Sequence, residues 1–104
     1  MTQLQFVSQK IEFIGGTVHA FVPCPRGPAT RPHGIVLYEG EGYHPFIVHY
    51  IDTENGARWE GGYHGDIHNA YLDFCKRVSK QVSYVENGVP LAGTENDTEY
   101  RKTV

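Results

Sequence analysis

Six histidines in a chain of 104 residues are the side chains with most chemistry to offer, and His44, His49, His64 and His68 fall in one stretch. Imidazole binds divalent metals and moves protons near neutral pH, so such a group reads first as a metal clamp or a general base. His64 precedes His68 by four, which on one continuous helix would set both rings on the same face. Gly65-Asp66 instead places a helix start between them, and neither Cys-x-x-Cys nor His-Glu-x-x-His accompanies them. The spacing therefore assigns no metal ligand and no cofactor, and sheet-edge and capping roles account for these residues. Cys24 lies between two prolines beside Arg26, which favours a thiolate but supplies no base. Cys75 borders an apolar helical stripe, where a thiol packs as a small hydrophobe. Glu39 and Glu41 flank one turn, Asp52 and Glu54 another, and nothing selects a pair for acid–base work. Gly40-Glu41-Gly42 lacks a following helix and carries an acid, so it is no phosphate loop. No catalytic residue is assigned, and the expectation is a protein that is not an enzyme.

The elements that must position these groups follow from periodicity. Gln5 to Ile14 carries Phe6, Ile11, Phe13 and Ile14 among polar residues. With Gly15-Gly16 as a two-residue turn and Thr17 to Val22 beyond it, this reads as a β-hairpin. Pro23, Pro25, Pro28 and Pro32 then exclude regular structure and predict a stiff exposed loop bearing Arg26, Arg31 and His33. Gly34 to Glu39 is a strand of continuous apolar character, hence internal to its sheet. Phe46 to Asp52 returns the chain, and Asn55-Gly56 is the strongest hairpin signal present, leading into a strand over Arg58 to Tyr63. Gly61-Gly62 ends or bulges that strand beside Trp59.

Asp66 then caps a helix on which Ile67, Ala70, Tyr71, Phe74, Val78 and Val82 form one stripe facing the sheet. His68, Asn69, Asp73, Lys76, Arg77 and Lys80 are expected to point away from it, with Asp73 four before Arg77. Glu86 to Pro90 turns, and the residues after Gly93 are polar and aperiodic. The expected fold is α+β: an antiparallel meander of about five strands with one amphipathic helix packed on one face. Residues 1–92 form a single domain and 93–104 a polar C-terminal tail. Ile35, Leu37, Phe46, Val48, Tyr50, Trp59, Ile67, Ala70, Tyr71, Phe74 and Val78 are the expected core.

Composition bounds the function classes. The formal charge is −3, whereas nucleic-acid binders carry clustered Lys and Arg for phosphate contacts. No apolar run reaches the ~18 residues of a membrane span, and Met1 to Leu4 does not open a signal peptide. Two cysteines without a secretion signal read as free thiols in a reducing cytoplasm. The core is modest, and seven tyrosines carry much of the aromatic weight. Tyrosine pairs apolar area with a polar tip, a combination suited to interfaces.

The segment Trp59-Glu60-Gly61-Gly62-Tyr63-His64-Gly65-Asp66, followed by Ala70, Asp73-Phe74 and Arg77, resembles short uncharacterised domains of phages and other mobile elements. In these a strand ending Trp-Gly-x-Tyr enters a helix of pattern Asp-x-x-x-Ala-x-x-Asp-Phe-x-x-Arg. The likeness spans Phe46 to Val82, and the Gly-Gly-Tyr-His-Gly segment is longer here by a residue or two. It implies a fold and a setting rather than an activity: compact acidic accessory proteins, among them inhibitors of the anti-CRISPR type. The leading expectation is thus a small non-enzymatic phage protein, acting in the host cytoplasm, that binds and inhibits a host protein complex. It binds neither nucleic acid directly nor a membrane. Arg26, Arg31, Tyr38, Glu41, Tyr43 and Trp59 are the expected partner-binding residues, with Glu39, Glu41, Asp52, Glu54 and Glu60 as phosphate mimics if the target handles nucleic acid. The alternatives are a small His-dependent or metal-dependent enzyme and a homodimeric structural or regulatory module.

Overall fold

The computed structural model describes residues 1–24 and 31–86, the last five of these by backbone alone. Arg26, most of the proline-rich loop and the 93–104 tail lie outside the described residues. The chain runs α1 (Gln3–Phe13), β1 (Thr17–Pro23), β2 (His33–Glu39), β3 (Phe46–Asp52), β4 (Arg58–His64) and α2 (Ile67–Glu86). The four strands form one antiparallel sheet in the order β1-β2-β3-β4. The α+β class and the meander stand as expected. The count of about five strands and one helix does not, because the first expected strand is a helix.

Local chemistry explains that correction. The Thr2 hydroxyl accepts the Gln5 N–H while the Gln5 side chain accepts the Thr2 N–H, a reciprocal capping box. Val7 and Ile11, four apart, are fully buried on one face. At the other end Gly16 N–H donates to the Ile11 carbonyl and Gly15 N–H to that of Glu12. With Gly15 at φ +86°, this is a Schellman close. The double glycine is a helix stop, not a hairpin turn. A Cβ on Gly16 would stand 2.8 Å from Ile11 Cγ2, so the bare backbone also lets helix and strand meet.

The sheet is covered on both faces. Ile35, Leu37 and Val48 pack against Ala70 and Phe74 of α2, with Cys24, Ile67 and Val78 alongside. Val36, Tyr38 and Ile51 pack against Val7 and Ile11 of α1. β2 feeds both layers by alternation, which is why it reads as continuously apolar. Trp59 and Tyr71, expected in the core, are each 41% exposed. The buried stripe of α2 is Ile67, Ala70, Phe74 and Val78, with Tyr71 to one side of it. The helix runs past Val82 to Glu86, so Lys76, Arg77 and Lys80 sit mid-helix rather than in its last turns. Asp66 caps it as expected, its Oδ1 accepting the Asn69 N–H at 2.9 Å. No helix among the described residues is long and apolar enough to cross a membrane.

The Asn55-Gly56 hairpin also forms. Asp52 Oδ1 accepts the N–H groups of Glu54 and Asn55, Asn55 Oδ1 accepts that of Ala57, and Gly56 takes φ +80°. In β4 the register slips between Val48 and Tyr50 of its partner, with Glu60 at φ 54°. That bulge leaves Trp59 opposite Tyr50 on the α2 face and Tyr63 opposite Ile47 on the α1 face. Without the extra residue, positions four apart in a strand would share a face.

Candidate functional site

The edge strand β4 carries polar and aromatic constellations on both of its faces. On the α1 face, Arg58 Nη1 donates to the Tyr38 hydroxyl at 2.8 Å, and that hydroxyl lies 3.0 Å from His49 Nδ1. His49 Nε2 lies 3.4 Å from the Tyr63 hydroxyl. Arginine only donates, so the Tyr38 oxygen accepts from Arg58. Burial, followed by the charges of Arg58 and Arg77, pushes the His49 pKa down to about 4. The ring is therefore neutral at physiological pH. Burial pushes the Tyr38 hydroxyl up, against the pull of Arg58. Gly61 admits this arrangement, since a Cβ there would stand 2.6 Å from His49 Nε2.

On the α2 face, Asp73 reaches back to the strand. Its Oδ2 accepts from His64 Nε2 at 2.8 Å and its Oδ1 from Arg77 Nε at 2.9 Å. Burial works against the Asp73 charge, but the His64 and Arg77 bonds outweigh it and hold the carboxyl below its usual range. Arg77 lies with Cζ 5.2 Å from the Tyr50 ring centroid, and Trp59 stacks on the same tyrosine at 5.8 Å and 18°. His33 adds a tilted contact to Trp59. Asp73 and Arg77, expected to point away from the sheet, thus fold onto it. A Cβ on Gly62 would collide with the Asp73 carboxylate, so only bare backbone seats the pair here. Beside it an open cleft of about 400 Å³ is lined by His64, Asn69, Leu72, Asp73 and Lys76.

The expected site residues separate in space. Tyr38 is 2% exposed among Val7, Ile11, Val36 and Ile51, which removes it from any partner surface. Arg31 is committed to Asp52 at 2.7 Å and Glu54 at 3.1 Å. That pairing helps hold the buried Asp52 carboxyl below its usual range despite the burial that opposes it. Glu41 and Tyr43 lie in the β2–β3 loop, with Tyr43 92% exposed, and Trp59 is half-buried on its stack. The five acids form no single cluster. Glu39 and Glu41 lie at one end of the sheet, Asp52 and Glu54 at the other, and Glu39 is bonded to His19 at 2.8 Å.

Nor do the four histidines converge, since His49 enters the α1 layer while His64 pairs with Asp73 of α2. Among the described residues no group of three or more His, Cys, Asp or Glu side chains could hold a metal ion. Cys24 is buried and its thiol pushed up to about 11 by desolvation, which overrides the thiolate expected from Arg26. Cys75 is exposed, not packed. The His49–Tyr38–Arg58 string and the His64–Asp73 pair went unread in the sequence. The one signal available was Asp73 four before Arg77. No protein-family model, curated protein or solved structure matches the chain.

Proposed function

We propose that the protein is a small non-enzymatic binding protein, of the phage-encoded kind that docks on a host protein complex and inhibits it. The observation that carries this reading is the treatment of Trp59. The hairpin register sets Trp59 opposite Tyr50, where the indole stacks on that ring, which rests in turn under Arg77, and a bulge with Glu60 in left-handed backbone follows directly. Left-handed backbone at a residue such as glutamate costs ~1 kcal/mol or more and persists where the surroundings impose it. The outcome is a large aromatic held in one orientation while 41% of it faces solvent. An anchor already ordered before binding loses little entropy on docking. Tyr43, Tyr63 and Glu41 are further exposed groups for the same role, and exposed tyrosines and tryptophans are the residues on which interface energy concentrates.

The test is affinity capture from cells that carry the gene, with wild-type protein, Trp59→Ala and Tyr43→Ala in parallel. A partner held by the wild type should bind each variant ~30-fold more weakly, a change of ~2 kcal/mol. Melting temperature should hold for Tyr43→Ala. A captured set identical for all three proteins, or no partner above background, overturns the reading.

A further inference from the structure

β4 is an edge strand, and its outer side pairs with no other strand among the described residues. The Asp52 N–H donates to the Ala57 carbonyl at 2.8 Å, so Ala57 turns its backbone groups toward β3. By alternation Trp59 does the same, and Arg58 between them turns its N–H and C=O outward, onto the open edge. The side chains here run cation, aromatic, acid, an order that complements itself when reversed. Arg58 gives Nη1 to the Tyr38 hydroxyl but makes no ion pair among the described residues. Glu60 makes none either. It also holds left-handed backbone at φ 54°, where glycine fits best, and no contact among the described residues accounts for a carboxylate there. Trp59 keeps 41% of its surface in solvent.

We propose that the protein forms a two-fold homodimer in which β4 of one copy pairs antiparallel with β4 of the other, centred on Trp59. With the axis at Trp59, each Arg58 falls opposite Glu60 of the second copy, so one short stretch supplies two opposite-charge cross-strand pairs. The backbone phase agrees. Trp59 turns its own N–H and C=O inward, so the two indoles meet at a non-hydrogen-bonded position, where side chains approach most closely. The stack of Trp59 on Tyr50 then continues across the axis onto the second Trp59 and its Tyr50. Ala57 falls opposite Gly61, and both are small enough for the strands to close. The bulge after Trp59 confines the pairing to this stretch. On the α2 side, Asp73 and Arg77 neutralise each other and Lys76 lines the cleft at the far end of β4. Lys80 is exposed, with a stem long enough to carry its ammonium into solvent. A contact this short makes a weak dimer that forms and parts with concentration. A host partner and the second copy compete for Trp59, but the dimer does not rest on the reading of the protein as an inhibitor.

The experiment is sedimentation velocity of the purified protein from about 5 to 500 µM, for wild type, Arg58→Glu, Glu60→Arg and an equimolar mixture of the two variants. A wild-type dimer with a dissociation constant of roughly 10–100 µM is expected. Each variant alone sets like charges opposite each other and should dimerise at least ~tenfold more weakly. In the mixture every cross-strand position regains an opposite charge, so a heterodimer should form within about threefold of the wild-type affinity. Glu60→Arg removes no side-chain bond among the described residues, so its melting temperature should hold. It therefore decides the interface whatever Arg58→Glu does to the Tyr38 contact. A wild-type monomer at every concentration overturns the dimer. A dimer that survives Glu60→Arg, or folded variants that stay apart when mixed, overturns the pairing through β4.

Discussion

Acidification from neutral pH should weaken the fold through His49. The ring is buried between Tyr38 and Tyr63, and its pKa falls from 6.5 to about 4 on folding. A histidine with a depressed folded-state pKa binds its proton more readily in the unfolded chain. Its contribution to stability is therefore complete well above the unfolded value and is lost as pH drops from there toward the folded value. Carried from about pH 7.5 to about pH 5, that difference integrates to roughly 2 kcal/mol of lost stability. Tyr63 is 58% exposed and admits water to one side of the ring, so roughly 2 kcal/mol is the upper figure. The groups facing His49 are Tyr38 from β2 with Arg58 and Tyr63 from β4, while Arg77 acts from across the sheet. Asp52 and Asp73 are held below the usual carboxylate range and remain charged throughout this window. Urea unfolding across the range, for wild type and His49→Gln, isolates the residue because all other titrations are common to both. The wild type should lose ~1–2 kcal/mol more than the variant over the window. Parallel curves within ~0.3 kcal/mol would refute the reasoning, as would a His49 pKa near 6.5 by NMR.

Phe74→Ala should cost ~3–5 kcal/mol by chemical denaturation, because it empties the contact of α2 with Ile35, Leu37 and Val48. A loss below ~1 kcal/mol would mean that the helix does not pack through this residue. Gly62→Ala places a methyl group where the Asp73 carboxylate lies. It should part that carboxylate from His64 and Arg77, so the Asp73 pKa, followed by carbon-detected NMR, should move upward from its depressed value. An unchanged Asp73 titration would show that the pair does not depend on the bare strand.

All four strands were legible to within a residue, and three of them for a visible physical reason. β2 is apolar on both faces because helices cover both, β3 ends at an Asp-anchored turn, and Gly56 supplies the positive φ that the hairpin needs. The helix at the N-terminus was not legible through the same signals. Phe6, Ile11 and Phe13 admit a strand reading, yet Phe13 is almost wholly exposed while Val7 and Ile11 are fully buried. The deciding features were Thr2 with Gln5 at its start and a glycine pair at its end. Gly-Gly closes a helix and turns a hairpin with equal ease, since both require left-handed backbone. The cap three residues apart was the sharper signal, and it favours a helix.

The candidate site was harder to read because its parts are sorted by strand parity, which one residue can invert. His49 and His64 look like members of one cluster in the sequence. The pleat sends His49 toward α1, beside Tyr38, and His64 toward α2, beside Asp73. Between Trp59 and Tyr63 the bulge at Glu60 reverses the alternation, so two aromatics four apart serve opposite faces. Gly61-Gly62 hinted at a bulge, but not at why both glycines are needed. Gly61 makes room for His49 on one face and Gly62 for Asp73 on the other. A single β4 segment thereby abuts a buried neutral imidazole on one side and holds an imidazole bonded to a carboxylate on the other. The position of one extra residue in an edge strand decides which face His64 serves.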